Sequence, residues 1–128
     1  MSIDVTTDIE SKYVRVSCKG SFNNKELLSI YDKALDLAAD KGRKAILVDV
    51  RDLEGALPAT MDRFYHGVTT VTIQRAKKTR IFIAVLGREP LLDPERFGET
   101  VALNRGLLGK AFIDIDDAIA WIDKNVIK

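Results

Sequence analysis

Two short apolar runs constrain this chain more than anything else in it. Ala45-Ile46-Leu47-Val48 ends at Asp49, and Arg80-Ile81-Phe82-Ile83-Ala84-Val85-Leu86 ends at Gly87. Both are rich in β-branched residues and have no polar face. A strand of that kind is covered on both sides, which happens in parallel sheets packed between helices. Met61, Phe64, Tyr65, Val68 and Val71 recur between the runs at helical spacing. Strand, helix, strand in that order implies a right-handed crossover. The two runs then lie side by side, and the segments leaving them converge on one rim.

The remaining elements fall around this centre. Ile3, Val5, Thr7 and Ile9 alternate with Asp4, Thr6 and Asp8, and Val14, Val16 and Cys18 alternate with Arg15, Ser17 and Lys19. Such alternation marks strands with one wet face, and the short Glu10-Ser11-Lys12 link suits a hairpin. Gly20 is expected to close the second strand. Asn23 reads as a helix cap, with Glu26 placed to reach back to it. Leu27, Ile30, Tyr31, Ala34, Leu35 and Ala38 form the helix's apolar stripe, and Gly42 is its stop. Asp93-Pro94-Glu95 opens a third helix, with Phe97, Val101 and Leu108 as its stripe. Lys110–Ile113 is a short fifth strand. Asp114 or Asp116 caps a last helix with Ala118, Ile119, Ile122 and Val126 facing inward. The order is β-β-α-β-α-β-α-β-α: one α/β domain over residues 1–128, a mixed five-stranded sheet flanked by four helices, one strand antiparallel at an edge.

Bulk properties exclude several functions. With 20 basic and 19 acidic residues the net charge is +1, so no global field draws nucleic acid or a membrane surface. One cysteine allows neither an internal disulfide nor a cysteine-rich zinc site. No apolar run nears the roughly 20 residues of a membrane helix, and the first residues do not read as a signal peptide. A cytoplasmic location is the expectation.

The element order resembles the STAS domain of anti-sigma-factor antagonists, and more narrowly the SpoIIAA-like branch grouped with STAS/SEC14 proteins. The stretches that carry the resemblance are Leu47–Gly55, Asp62-Arg63, Phe97–Gly106 and Ala118–Trp121. It implies a regulatory, protein-binding role. Phosphorylatable relatives place a serine where the third strand hands over to the second helix, in an Asp-Ser-Ser-Gly-like stretch. This chain has Leu57-Pro58-Ala59-Thr60-Met61-Asp62 there, which leaves Thr60 as the matching hydroxyl.

Open α/β sheets bind partners at the carboxyl ends of their strands. Two loops are expected to meet there, 49–57 and 87–93, presenting Asp49, Arg51, Asp52, Glu54, Arg88 and Glu89. These and Thr60 form the candidate partner or ligand site; the plainer reading is solvated loop charges in local ion pairs. Thr60 reads either as a phosphosite or, more simply, as a helix cap. Asp49 sits where a receiver-type phosphoacceptor would, yet no acidic pair accompanies it, so a hydrogen bond to the residues that follow accounts for it. Asp49, Asp52 and Glu54 have the oxygens of a hard-cation site, but acids on a turn are common without one, and no metal is assigned.

No catalytic residue emerges. His66, the one histidine, lies inside the second helix, Cys18 sits on an apolar strand face, and no nucleotide or nucleophile-elbow motif occurs. Arg75, Lys77, Lys78 and Arg80 could touch phosphates, but no aromatics interleave with them, and cations suit a helix C-terminus. Phe22, Phe64, Tyr65, Phe97 and Trp121 suggest either core or an apolar pocket, and Trp121, at the border of its helix's inner face, a homodimer contact. The expected function is a non-catalytic STAS-like interaction module without a cofactor. The alternative is a SEC14-like carrier or sensor of a small apolar ligand, suggested by the apolar loop Pro90-Leu91-Leu92.

Overall fold

A computed structural model describes residues 3–54, 70, 72–75, 80–88 and 108–126. Its strands are β1 (Ile3–Ile9), β2 (Val14–Ser21), β3 (Ala45–Glu54), β4 (Phe82–Leu86) and β5 (Gly109–Phe112); its helices are α1 (Asn24–Asp40) and α2 (Ile115–Asn125). Thr70 and residues 72–75 are also helical. The expected third helix and most of the second lie outside the described residues.

The strands form one sheet in the order β1-β2-β3-β4-β5. β1 is antiparallel to β2 at one edge, and all other neighbours are parallel. Ala45 pairs with Phe82 and Asp49 with Leu86, so the two apolar runs do run side by side. Their alternate residues serve opposite layers. Ile46, Val48, Ile81 and Ile83 join Val14, Val16, Cys18 and the inner face of α1 in one core cluster. Ala45, Leu47, Ala84 and Leu86 join Phe112 and the Ala118 and Ile122 of α2 in the other. Because strand residues alternate between faces, a strand without polar positions must feed two cores at once.

The ends of α1 follow its sequence signals with one change. Asn23 caps it, its Oδ1 accepting from the Glu26 amide at 2.9 Å. The Glu26 carboxylate, expected to reach back to the cap, accepts the Ile3 amide at 2.7 Å and so ties the start of β1 to α1. Gly42 takes a left-handed φ of +71° just past the helix, where any side chain would be strained. Asp114 caps α2 through the Asp116 amide at 2.8 Å.

Two expectations are corrected. Gly20 does not close β2, which runs on to Ser21. The inner side of β1 is covered only at Ile3, while Val5 and Ile9 are each 43% exposed. Trp121, half-buried, packs edge-on to Phe82 at 5.8 Å and beside Phe112 at 5.7 Å, a ring cluster that covers the start of β4. Phe22 belongs to the other cluster, so these two aromatics do not line a common pocket.

Candidate functional site

The charged stretch after Asp49 is strand, not loop. Asp49, Arg51, Asp52 and Glu54 all lie on β3, because β2 continues beside them and Lys19, Gly20 and Ser21 pair with Asp52, Leu53 and Glu54. A β-bulge interrupts this pairing. Ser17 faces Asp49 but Lys19 faces Asp52, so Val50 and Arg51 together oppose Cys18. The extra residue resets the alternation. Before it, even-numbered Ile46, Val48 and Val50 enter the α1-side core; after it, odd-numbered Leu53 does.

Arg51 folds back from the bulge onto Asp49. Its Nε donates to Asp49 Oδ1 at 3.0 Å and its Nη2 to Oδ2 at 2.9 Å, a two-pronged pairing that fits the planar guanidinium. The Arg51 amide also donates to Oδ1, at 3.1 Å. Arg15, from β2, adds a longer bond from Nη2 to Oδ2 at 3.4 Å. Asp49 is buried. Burial pushes its carboxyl upward, but the side-chain and backbone bonds from Arg51, that residue's charge and the bond from Arg15 outweigh it. The net effect holds the group below the usual carboxylate range. The same pairing with Asp49 raises Arg51, against a smaller opposing effect of burial.

Asp49 is therefore engaged on both oxygens as an internal brace of the bulge. Among the described residues no three acidic, histidine or cysteine side chains come together as a metal site. The bonding that sequence suggested for Asp49, toward residues that follow it, is present.

Around this brace lie outward-facing groups at the carboxyl ends of the strands. Asp52, Glu54 and Arg88 are exposed. Arg88 follows the carboxyl end of β4 by two residues, beyond the last β3–β4 pair, Asp49 with Leu86. Asp114, the α2 cap, is close enough to act on Arg51 electrostatically, and Ile113 beside it is 66% exposed. β3, β4 and the β5–α2 junction thus meet on one rim. Thr60 and Glu89 lie outside the described residues, as does His66. Arg15 and Ile113 were not foreseen; Arg15 could have been suspected from its place on the polar side of β2, but only the register sets it against Asp49.

Cys18 is buried in the core. Burial, with the Asp49 charge adding to it, pushes its thiol up to about 11, so at neutral pH it stays protonated and unreactive. No helix among the described residues is long and apolar enough to cross a membrane.

No family model matches the chain, and no curated protein matches it in sequence. Solved structures match in shape along nearly its whole length. An anti-sigma factor antagonist from Mycobacterium paratuberculosis superposes with a TM-score of 0.61, at 15% identity, over 95% of both chains. An uncharacterised DUF3478-family protein with a SpoIIAA-like fold, from Shewanella loihica PV-4, gives 0.51 at 20% identity over 94% of both. The chain has the SpoIIAA-like fold of STAS domains.

Proposed function

We propose that this chain is a non-catalytic regulatory module of the cytoplasm that binds a protein partner at the carboxyl rim of its sheet. Asp52, Glu54 and Arg88 make the contacts, together with Thr60 and Glu89, while Asp49 and Arg51 hold β3 in the shape that presents them. The observation that carries this reading is the division of labour on β3: two charges consumed in an internal brace, two more turned outward beside it. The likeness in fold to an anti-sigma factor antagonist supports a protein partner over a substrate. Charge at a rim sets recognition and encounter rate more than fold stability.

The test is affinity purification from cells with wild type and an Asp52→Lys/Glu54→Lys variant. A partner recovered by wild type and lost from the variant is expected. An identical set of partners would remove the rim from consideration. Asp49 is the wrong residue to reverse, because its loss strands two arginines.

The alternative, a carrier of a small apolar ligand, draws on a groove of about 340 Å³ between β1 and α1. Ile3, Val5 and Val16 are among its floor residues, and Ile30, Ala34 and Leu37 line its wall. That size suits a small molecule, but exposed Val5 and Thr7 leave the space open along the sheet edge. Native mass spectrometry of gently purified protein decides: a retained organic molecule favours the carrier.

A further inference from the structure

The uncovered edge of β1 goes beyond the rim. Among the described residues β1 is the outermost strand, with β2 its one neighbour. The direction of its backbone groups follows from two bonds. The Glu10 amide donates to the Tyr13 carbonyl, toward β2. The Ile3 amide donates away from β2, to Glu26. Groups of an antiparallel strand alternate in direction along the ladder. Asp4, Thr6 and Asp8 therefore bond toward β2, and Val5, Thr7 and Ile9 turn their N–H and C=O groups outward. Glu26 takes the outward amide at Ile3, which leaves Val5 to Ile9 as the open stretch among the described residues.

Side chains along this stretch separate by face. Val5 and Thr7 border the groove beneath Ile30, Ala34 and Leu37 of α1. Asp4 and Asp8 lie on the other face, both exposed. Residues 3–11 hold three acids, Asp4, Asp8 and Glu10, and no base. In the β1–β2 register Asp4 faces Lys19 and Asp8 faces Arg15, but Arg15 sends its guanidinium to Asp49.

We propose that the β1 edge accepts an added strand: an extended peptide with apolar residues at alternate positions and lysine or arginine between them. Its backbone pairs with Val5, Thr7 and Ile9, its apolar side chains enter the β1–α1 groove, and its cations meet Asp4 and Asp8. Edge strands recruit peptides in this way, the backbone supplying affinity and alternate pockets supplying choice. The acids also argue against a second copy of this chain as the occupant. Antiparallel self-pairing centred on Thr6 sets Asp4 against Asp8 at both ends, a like-charge contact that opposes association.

The probe is an acetylated, amidated heptapeptide of alternating lysine and valine, titrated into isotope-labelled protein and followed by amide NMR shifts. A glutamate–valine counterpart serves as control. Shifts are expected at Val5, Thr7 and Ile9, with the glutamate peptide weaker by roughly tenfold or more. Thr7→Pro removes an outward N–H that β2 does not use, as edge strands tolerate, and should abolish binding. Asp4→Lys/Asp8→Lys should reverse the preference between the peptides, and it carries the test alone if Thr7→Pro does not fold. Asp52→Lys/Glu54→Lys should bind the peptide like wild type, which separates this edge from the rim. Absence of shifts at β1 up to millimolar peptide, equal affinity for both peptides, or binding undiminished in folded Thr7→Pro would overturn the proposal. So would sedimentation showing that a second copy occupies the edge.

Discussion

The two ends of the sheet differ in what their polar side chains do. At the amino end, Arg43 and Gln74 are spent on backbone. Arg43 donates to the carbonyls of Glu10 at 2.6 Å and Lys41 at 2.7 Å. Gln74 donates to Ile81 O at 2.7 Å and Leu108 O at 3.1 Å while accepting from Leu108 N at 3.0 Å. At the carboxyl end, Asp49 and Arg51 satisfy each other, and Asp52, Glu54 and Arg88 face water. Buried backbone groups must find partners, and at the amino end Arg43 and Gln74 supply them. The carboxyl end holds its exposed charge in reserve. If this contrast is right, substitutions at the amino end cost stability, and those at the outer carboxyl rim cost only binding.

The largest loss should come from Gln74. It is buried and works as a short strand segment, joining the approaches to β4 and β5. Gln74→Ala leaves the Ile81 carbonyl and the Leu108 amide unpaired, although Leu108 O keeps its bond from the Ile83 amide. An abandoned buried polar group costs about 1–3 kcal/mol, so two should cost about 3 kcal/mol in urea unfolding. A loss below about 1 kcal/mol would mean that water replaces the side chain and that the amino end is not closed by it.

Asp49→Ala comes next and tests the inner part of the carboxyl end. It removes a buried carboxylate from two arginines and should cost about 2–3 kcal/mol. The milder Asp49→Asn adds a pH signature. The folded carboxyl titrates below its unfolded value, so the folded protein binds fewer protons than the unfolded chain between those two values. The brace then contributes its full stability above the unfolded value, about 3.9, and loses it as pH falls through the folded one. The stability gap between wild type and Asp49→Asn should be widest near neutrality and shrink on acidification below about 4. A gap that does not change with pH would mean that the charge of Asp49 plays no part.

Arg43→Ala should cost about 1 kcal/mol, the usual net value of intramolecular hydrogen bonds, because Arg43 is part-exposed and water can reach its abandoned carbonyls. A change in urea midpoint at constant slope would register it.

The central strands were legible because β-branched runs without polar positions have few other homes, and the α1 stripe because each of its six named positions is buried. Caps at Asn23 and Asp114 announced themselves through side chains that bond locally. What stayed hidden depended on register. Alternation assumes an unbroken ladder, so the bulge at Val50 and Arg51 could not be seen, and four charged residues in a row of six suggested a loop where β2 in fact sustains a strand. Alternation also named the inner side of β1 without saying whether a helix reaches over it; α1 sits over the α1-side residues of β2 and β3 and leaves Val5 and Ile9 bare. Gln74 stands just before a basic run and looks like a solvated helix residue until the approaches to two strands are set beside it.

The smallest effect on folding, and the sharpest test of the contrast, belongs to Asp52→Lys/Glu54→Lys. Both side chains are exposed, and neither makes an ion pair among those of the described residues. Asp52 does act on Arg51 through space, so its reversal brings a cation toward the brace. In water that interaction is strongly screened, and the paired Asp49 already neutralises Arg51. Stability should change by no more than about 0.5 kcal/mol, as for other exposed charges. A loss on the scale of Asp49→Ala would show that the outer charges belong to the brace. The rim would then be a structural device like the amino end, and the reserve of charge that motivates a partner there would not exist.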